Sequence, residues 1–440
     1  MNRSINILNL SGILLAIFYI ILPVYFSFEI SSSFPSFTAS RLILLFVIFL
    51  LLIITKKIVV PNTLLMRTVY LFSGILTVVN LIHVGQDPSN SLKAIFSIIL
   101  ENILLIIVIC SCIKTKNSLK LFLKFMVLTS GVMTIFALIE FFTGFNVFYL
   151  LTTTSRTVYQ ASYTRLGMTR AESSFGHAIY FGVYSSSLFP FSLYFYQNTK
   201  KSRYLLISIL NILGVLISGS RGQMLAVFIL VLLMSFKKTK KVKVKYIYGL
   251  ISAVPIILLI LILSPTLSNY ALENIKSILN IFGFNFQESS NFGINEDGLS
   301  SRLIQLSGID WLISTGALYF GLGSNSAARG LVSYYWNSTG WQPVESIDVG
   351  FMGWMLDYGV FGTIAYTILF VFFIIFLIKK SNSLITDNFY NPFKWFFVVY
   401  ILNLFSSVGV DRMLWIIIAL VICYEVICKR EEKRMYRLSR

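Results

Sequence analysis

The sequence is poor in charged side chains, and in acidic ones above all. Of its 440 residues only 12% are charged, against about 25% in soluble globular proteins. It has 18 Asp and Glu, 2 His and 4 Cys, while 56% of the residues are hydrophobic. Such a composition excludes a soluble enzyme, a disordered chain and a disulfide-rich secreted scaffold.

Common phosphate and metal motifs are also missing. The chain contains no G-x-x-x-x-G-K-[ST] phosphate loop, no H-E-x-x-H zinc helix and no Asp-x-Asp pair, so we expect no ATP hydrolysis, no metal site and no cofactor. The four cysteines lie within or at the ends of apolar runs near lysines, and we expect them to be reduced and structural. They are Cys110, Cys112, Cys423 and Cys428.

Long apolar runs make up most of the chain. About 20 apolar residues cross a bilayer as a helix, and windows of this kind predict twelve spans. The first run is too long for a signal-peptide core and no cleavage pattern follows it, so we expect it to remain as a helix. The predicted spans are 8–28, 39–55, 64–83, 94–112, 119–143, 174–197, 203–218, 221–236, 246–266, 347–378, 392–409 and 411–428.

Lysines mark one side of this predicted bundle. With a cytoplasmic N-terminus, 19 of the 21 lysines fall inside, over six successive inside segments. The positive-inside rule requires such a distribution, and it accounts for the net charge of +18 without a nucleic-acid partner. The basic run 237–245 is read as a retention signal, with an anionic-lipid contact as the alternative. We therefore predict an all-α integral membrane protein of about 12 transmembrane helices, with both termini cytoplasmic.

Two predicted outer loops are longer than simple turns. They cover residues 144–173 and 267–345 of what we interpret as a single polytopic membrane domain, 1–440. Loops of this length usually carry function. The second contains a half-apolar segment, 303–320, which predicts a helix lying at the membrane interface rather than a thirteenth span.

The predicted outer face is rich in arginine, whereas the inner face is rich in lysine. A guanidinium binds phosphate oxygens with two fixed donors, which favours an anionic ligand outside. The alternative is that these arginines are solvated or pair with Glu172, Asp310 and Glu345. The outer arginines are Arg41, Arg156, Arg165, Arg170, Arg221, Arg302, Arg329 and Arg412.

Two arginine patterns stand out within this set. Arg221 lies in Ser-Gly-Ser-Arg-Gly between two apolar runs, where a lone charge is costly. Ser220 is placed to cap the next helix, and the N-terminal dipole of that helix favours an anion. A plain hairpin turn would have the same residues. Arg165 and Arg329 are each followed by ten residues and then a glycine, a spacing observed more often than chance predicts.

Asp348 opens the apolar run of the tenth span, where a partly desolvated carboxylate can act as a general base. The alternatives are that it caps this helix or pairs with an arginine. His177, at the start of the sixth span, is either a contact between helices or a substrate ligand. Glu101 and Glu140 lie inside predicted spans, where carboxylates usually pair between helices or respond to protons.

Several of these residues together resemble the bacterial O-antigen ligase and polymerase superfamily. The resemblance rests on Ser220-Arg221-Gly222, on a long outer loop that begins near Arg302 and reaches Gly321-Leu322-Gly323, and on Asp348 followed by Phe351, Leu356 and Gly359 to Gly362. It covers roughly residues 165–365 by motif and the whole chain by predicted topology.

The resemblance implies a fold similar to the C-type membrane glycosyltransferases, in the bacterial cytoplasmic membrane. It implies transfer of glycans from polyprenyl diphosphate at the outer face, without nucleotide sugar or metal. Arg221 and Arg302 would then bind the diphosphate, with Arg165 and Arg329 in the two outer loops and Arg170 and His177 nearby. A chain-length regulator of polysaccharide assembly is a further implied partner.

The base would be Asp348, with Glu172 or Glu345 as substitutes. Ligases of the superfamily typically carry His at the position of Asp348, so the Asp favours the polymerase branch, which joins repeat units of O-antigen or capsule. Two rivals stay open, namely a ligase that moves a finished glycan to another acceptor, and a flippase of lipid-linked oligosaccharides. Transporters usually bind near the midplane on broken helices and have related halves, whereas the charged residues here gather at one predicted face.

Overall fold

The structure is a computed structural model, and it describes residues 2–23, 25–29, 34–55, 58–153, 164–165, 168–236, 276, 303–336, 339–381, 389–405, 407 and 411–438. It is 76% helical. Four helical segments are long and apolar enough to cross a membrane, Leu64–Gly85, Pro88–Cys112, Lys116–Thr143 and Gly350–Ser381. The chain is a multi-pass membrane protein.

The described residues form twelve helices of eight residues or more and one shorter helix. In chain order they are α1 (Asn2–Leu14), α2 (Ala39–Thr55), α3 (Leu64–Ile82), α4 (Pro88–Ser97), α5 (Leu105–Cys112), α6 (Lys116–Thr143), α7 (Ala178–Thr199), α8 (Ser202–Ile217), α9 (Arg221–Phe236), α10 (Gly308–Ser314), α11 (Gly350–Ser381), α12 (Tyr390–Leu404) and α13 (Asp411–Leu438). A π-helix, Leu15–Tyr19, extends α1, and another, Ile98–Leu104, joins α4 to α5.

Three short antiparallel pairs of strands accompany the helices. They are β1 (Ser27–Phe28) with β2 (Phe37–Thr38), β3 (Thr164–Arg165) with β4 (Met168–Thr169), and β5 (Val332–Trp336) with β6 (Gly340–Val344). None of them was predicted. Each lies in a segment between long helices, where the chain satisfies its backbone hydrogen bonds locally.

The first half of α13 is the centre of the bundle. Every residue from Met413 to Tyr424 is buried, and α5, α6 and α12 pack around it. A helix that is apolar on all sides must be covered on all sides. Small residues bring α7 and α8 together, since a Cβ on Gly214 would lie 2.7 Å from the Ser185 hydroxyl, as in close-packed membrane helices.

The two ends of the bundle differ in chemistry. One end carries lysines, where Lys116 pairs with Glu431 and Lys429 with Glu425. The other end, which we call the loop end, gathers the segments that precede α2, α4, α7, α9, α11 and α13. Contacts there join distant loops, for example Thr153 to Tyr25 and Arg412 to Leu22. Of the predicted outer arginines, Arg41, Arg170, Arg221, Arg329 and Arg412 lie at this end together with the long loops.

The predicted helix boundaries agree with the structure to within a few residues in most cases, with four corrections. The last helix, α13, continues to Leu438 rather than ending at 428, because the charged segment after the apolar run stays helical. The first helix ends near Ile21 rather than at 28, because Pro23 follows it. The fourth begins at Pro88 rather than 94, because Asp87 caps it and Pro88 occupies its first turn. The predicted helix over 303–320 is only α10 and a preceding 3-10 turn, because Gly316 turns left-handed at φ +70°.

The segment before α11 docks onto a break within that helix. Gly359 has φ +64° and ψ −161°, and the backbone of Tyr319 lies where its Cβ would be, at 2.4 Å. A Cβ on Gly321 would likewise lie 2.5 Å from the Asp357 backbone. Only glycine allows both the conformation and the contact. The glycine motifs noted in the sequence therefore fix the large loop onto α11. The predicted span 246–266 and the basic run 237–245 lie outside the described residues.

Candidate functional site

The loop end contains a tight turn between α8 and α9, residues Ser218 to Arg221, which we call the arginine turn. Gly219 turns left-handed with φ +62°, and the Ser220 carbonyl accepts the first helical hydrogen bond of α9 from Met224 at 3.1 Å. Arg221 is then the first residue of a helix, with its side chain half-buried. Arg221 therefore lies at the positive end of the α9 dipole.

Arg170 reaches the same turn from the loop before α7. Its Nε donates to the Ser218 carbonyl at 2.9 Å, and its Nη2 donates to the Ser220 hydroxyl at 3.1 Å. The backbone N–H of Ala171 also donates to Ile217 O at 3.1 Å. Two arginines from loops far apart in sequence therefore meet on one turn. Ser220 Oγ accepts a hydrogen bond from Arg170 and donates one to the Ser218 carbonyl.

Helix α7 begins beside this turn. A Cβ on Gly182 would lie 2.8 Å from the Ser218 hydroxyl, so the first turns of α7 pack directly on the arginine turn. His177 is the N-cap of α7, where its Nδ1 accepts the N–H of Ile179 at 3.1 Å. This gives His177 a local role in starting α7 next to Arg170.

Asp348 is held near the same place by contacts on both of its sides. The side-chain oxygen of Gln305 accepts the N–H groups of Asp348 and Val349, each at 3.1 Å. Two residues later a Cβ on Gly350 would lie 2.9 Å from Ser407 O. Ser407 in turn accepts a hydrogen bond from Gln223 of α9 at 3.3 Å. The beginnings of α9 and α11 thus meet at Ser407.

The Asp348 carboxylate is exposed. In the part of the chain that the structure describes it has neither a hydrogen-bond nor an ion-pair partner, so neither the capping role nor the arginine pair is observed, and α11 begins two residues later. Burial raises the pKa of Tyr334, and the charge of the nearby Asp348 raises it further. Glu345 is exposed as well and lies in the segment that follows β6.

Glu172 belongs to a buried polar cluster beneath Arg170. Glu140 Oε2 accepts the N–H groups of Glu172 and Ser173 at 3.2 and 2.8 Å, and Asn146 donates to Glu140 Oε1 at 3.1 Å. Glu172 itself is only 2% exposed. Burial raises the pKa of Glu172 to about 8, with Glu140 as a second cause. This burial keeps an acceptor hydroxyl away from Glu172, so it fits the role of general base less well than an exposed carboxylate.

The other predicted phosphate ligands are not brought to this place by described contacts. Arg329 pairs with Asp87 at 3.0 Å and donates to the Leu322 carbonyl, so it fixes the large loop to the start of α4. Hydrogen bonds from Asn90, together with Arg329, lower the pKa of Asp87. Arg165 lies in β3, and Arg302 is outside the described residues.

The loop end also contains a polar cavity of about 570 Å³. Its lining comes from the loop between α1 and α2, from α2, α3, α4, the π-helix, α11, α13 and the loop after Gly323. Neither of the two arginines at the arginine turn lines it, and neither does Asp348. Its charged side chains are Glu29, Arg41, Lys93, Glu101, Asp411 and Arg412.

Sequence reasoning named some residues of this cavity but not the cavity itself. Arg41 and Arg412 were among the outer arginines, and Glu101 was noted as a carboxylate within a span. Asn102 was missed, although the Glu-Asn pair within an apolar run was a visible signal. The aromatic side chains of α11 and α13 look like ordinary core residues in the sequence, so only the structure shows that they border a cavity.

In the described residues no group of three or more His, Cys, Asp or Glu side chains is arranged to hold a metal ion. No known family model matches the chain, and no curated protein matches it either.

Proposed function

We propose that this protein is a membrane glycosyltransferase that joins polyprenyl-diphosphate-linked oligosaccharide repeat units at the outer face of the bacterial cytoplasmic membrane. The observation that carries the proposal is the meeting of Arg170 and Arg221 on one turn. The turn lies at the start of α9 and beside the first turns of α7, so that two helix dipoles add to two guanidinium charges. This is the charge arrangement that a diphosphate requires.

The reaction requires charge stabilisation on the leaving group. An acceptor hydroxyl oxygen attacks the anomeric carbon of the donor glycan, and the bond from that carbon to the diphosphate oxygen breaks. The electron pair leaves with the polyprenyl diphosphate, where Arg170 and Arg221 stabilise the growing negative charge. Because both groups are already in position, little reorganisation is needed during the reaction.

The proton of the acceptor hydroxyl must also be removed. Asp348 supports this role because its carboxylate is exposed, without a partner among the described residues, and tied to the start of α11 next to α9. A carboxylate in that position accepts the proton as the new glycosidic bond forms. Glu172, which is buried, and Glu345, farther along the exposed segment, fit the role less well.

Replacement of Arg170 or Arg221 by lysine tests the proposal. Lysine keeps the charge but loses the planar pair of donors, so we expect polymer formation to fall about tenfold or more. The assay uses proteoliposomes and lipid-linked oligosaccharide extracted from cells that lack the protein. Arg67→Lys is the matched control, because Arg67 is exposed at the lysine end. Among the described residues its guanidinium donates a hydrogen bond only to the Asn62 side chain.

The product pattern separates the alternatives. A ladder of lengths supports a polymerase, whereas a single transfer to a different acceptor indicates a ligase. Undiminished polymer from both lysine variants would refute diphosphate binding at the arginine turn. Absence of glycosyl transfer, together with movement of the lipid-linked oligosaccharide across the bilayer, would indicate a flippase.

A further inference from the structure

The polar cavity at the loop end is built around an unusual helix. Residues Ile98–Leu104 form a π-helix between α4 and α5, and π-helical turns within α-helices occur frequently at functional sites. The wider turn directs both Glu101 and Asn102 into the cavity. In a regular α-helix, successive side chains point about 100° apart. The π-helix has a smaller angle between successive residues, so two adjacent side chains can both line the cavity.

Asn102 is the clearest sign of a missing partner. Its side chain is 7% exposed and lines the cavity, yet the structure gives its amide no hydrogen bond to any described residue. Its amide nitrogen and oxygen open onto the cavity, where a ligand can hydrogen-bond to them. Glu101, its neighbour, is by contrast satisfied by Arg41 at 2.7 Å and by Ser97 at 2.8 Å. The arrangement leaves one amide donor and acceptor for a ligand.

Two charged groups at the start of α13 are also directed toward the cavity. Arg412 donates through Nη1 to the carbonyls of Tyr19 and Leu22, at 3.4 and 3.0 Å, and the described residues accept nothing from its other two nitrogens. Asp411 is exposed to the cavity, and no described residue donates a hydrogen bond to it. A fixed guanidinium and a carboxylate side by side supply donors and acceptors together.

An aromatic wall faces these polar groups. Tyr358, Tyr366 and Trp415 line the cavity. Tyr366 stacks on Trp354 at 4.1 Å, and Phe72 packs against both Tyr366 and Trp415, at 4.7 and 5.5 Å. The rings are therefore fixed by their neighbours. Rigid aromatic surfaces bind a ligand at a low cost in side-chain entropy.

The charge balance indicates the class of ligand. Three acidic and three basic side chains line the cavity, and Arg41 is neutralised by Glu101. A diphosphate would meet carboxylates as well as cations, whereas a neutral polyhydroxylated ligand can both donate and accept hydrogen bonds here. Sugar rings also have apolar C–H faces that pack on aromatic rings. The volume lies within the roughly 300–1,000 Å³ of typical ligand sites, enough for a short oligosaccharide.

We propose that this cavity binds the sugar part of a glycan, in a site separate from the arginine turn. The inference deepens the proposed function and rests on it for the identity of the glycan as part of a lipid-linked substrate. The sugar-binding cavity and the arginine turn lie at the same end of the bundle, so one can hold the oligosaccharide while the other holds diphosphate.

The test measures binding of oligosaccharide without its lipid. The probe is the mixture that mild acid releases from the total polyprenyl-diphosphate-linked pool of the source bacterium, titrated calorimetrically into the full-length protein in nanodiscs. We expect Asn102→Leu to weaken binding about tenfold, because the hydrogen bonds of one amide are lost. Asn117→Leu is the matched control, since Asn117 is exposed at the lysine end. If Asn102→Leu lowers the melting temperature, Asp411→Asn takes its place with the same expectation.

The outcomes separate the two proposals. Asn102-dependent binding of the probe supports the cavity as a sugar site, even if proteoliposomes form no polymer, in which case the proposed function fails alone. Equal binding by wild type and by both cavity variants, or no binding of the released oligosaccharides, overturns the cavity proposal whatever the polymerisation result. Binding of glycerol phosphate in place of the oligosaccharides also overturns it and assigns the cavity to a lipid headgroup.

Discussion

At the scale of single residues, Asp348 carries the sharpest prediction. Its carboxylate is exposed and held between Gln305 and the start of α11. Asp348→Asn removes a proton acceptor with almost no change in shape, so we expect polymer formation to fall by roughly 10²–10⁴-fold. The rate of polymer formation is measured in proteoliposomes. Asp310→Asn, in the exposed first turn of α10, is the control, and wild-type polymerisation by the Asp348 variant would remove it as the base.

The raised pKa of Glu172 predicts that the stability of the folded protein depends on pH. Its pKa lies above the ordinary value of 4.5, at about 8, because it is buried. Between those two values the folded protein keeps a proton that the unfolded chain releases. The stability contribution is therefore fully present below about pH 4.5 and is lost as pH rises toward 8, at no more than about 1.4 kcal/mol per pH unit.

Glu172→Gln tests this, because the amide cannot ionise. We expect the melting temperature of the wild type in detergent to decline relative to the variant between pH 5 and pH 8, and the difference to level off above that. Parallel melting curves for the two proteins across this range would show that Glu172 does not titrate as described. The comparison with the variant removes contributions from all other groups, provided that Glu140 and Tyr25 keep their contacts.

The fates of the predicted residues show what spacing can and cannot reveal. The arginine turn was visible in the sequence because polar residues and glycines interrupt an apolar run. That Arg170 would bind this turn was not visible, since the contact depends on how the loop before α7 folds. Arg329 and Arg165 have the same spacing to a following glycine, so the sequence did not distinguish them. The partner of Arg329 is Asp87 in another loop, and only the tertiary structure shows a contact between distant loops.

At the scale of elements, the break in α11 supports a prediction for Gly359. Its φ is positive, and an added Cβ would lie only 2.4 Å from the Tyr319 backbone, so there is no room for a side chain. Gly359→Ala must distort either α11 or the docked loop, and we expect a loss of several kcal/mol or failure to fold, as for other strained positions. Melting temperature and proteolysis of the segment 303–349 report the change.

Gly353→Ala is the matched control for this experiment. It lies in the same helix, and its added Cβ would meet only Ile347, at 4.0 Å. Alanine is also the better helix former, so this variant should be neutral or slightly more stable. Equal stability of both variants would mean that the close approach of Gly321 and Gly359 does not hold the loop.

The helices were predictable to the extent that their signals are local. Apolar length predicted most of the helices, four of which are long and apolar enough to cross a membrane among the described residues. Pro23 and the Asp87-Pro88 cap would have corrected two boundaries. The π-helix between α4 and α5 has no such signal, because an apolar run is compatible with both an α-helix and a π-helix. The hairpin of β5 and β6 was hidden by a segment that mixes aromatic and polar residues without a clear period.

At the scale of the whole molecule, the lysine distribution led to one structural expectation that the fold supports. Among the described residues, the long loops lie at one end together with Arg41, Arg170, Arg221, Arg329 and Arg412, and the ion-paired Lys116 and Lys429 lie at the other. The lysine distribution did not predict the cavity. The walls of the cavity come from eight separate parts of the chain, and only the tertiary structure shows that these parts lie together.

The orientation of the bundle in the membrane is the last prediction, and the proposed function depends on it. Ser346 is exposed at the loop end and Asn117 at the lysine end. The natural cysteines are buried except for the partly buried Cys428. The variant Cys428→Ser therefore leaves no accessible natural thiol to react with the label. In that background Ser346→Cys should react with a membrane-impermeant maleimide on intact cells.

Asn117→Cys should react only after lysis, because lysine-rich segments are retained in the cytoplasm. The opposite pattern would place the arginine turn inside the cell, where it could not act on glycans at the outer face. Reactivity of Ser346→Cys that shifts between the two sides when lipid-linked oligosaccharide is present would instead indicate alternating access, as in a transporter. Labelling of Ser346→Cys from outside in both conditions is the result that a glycosyltransferase with a fixed outer site requires.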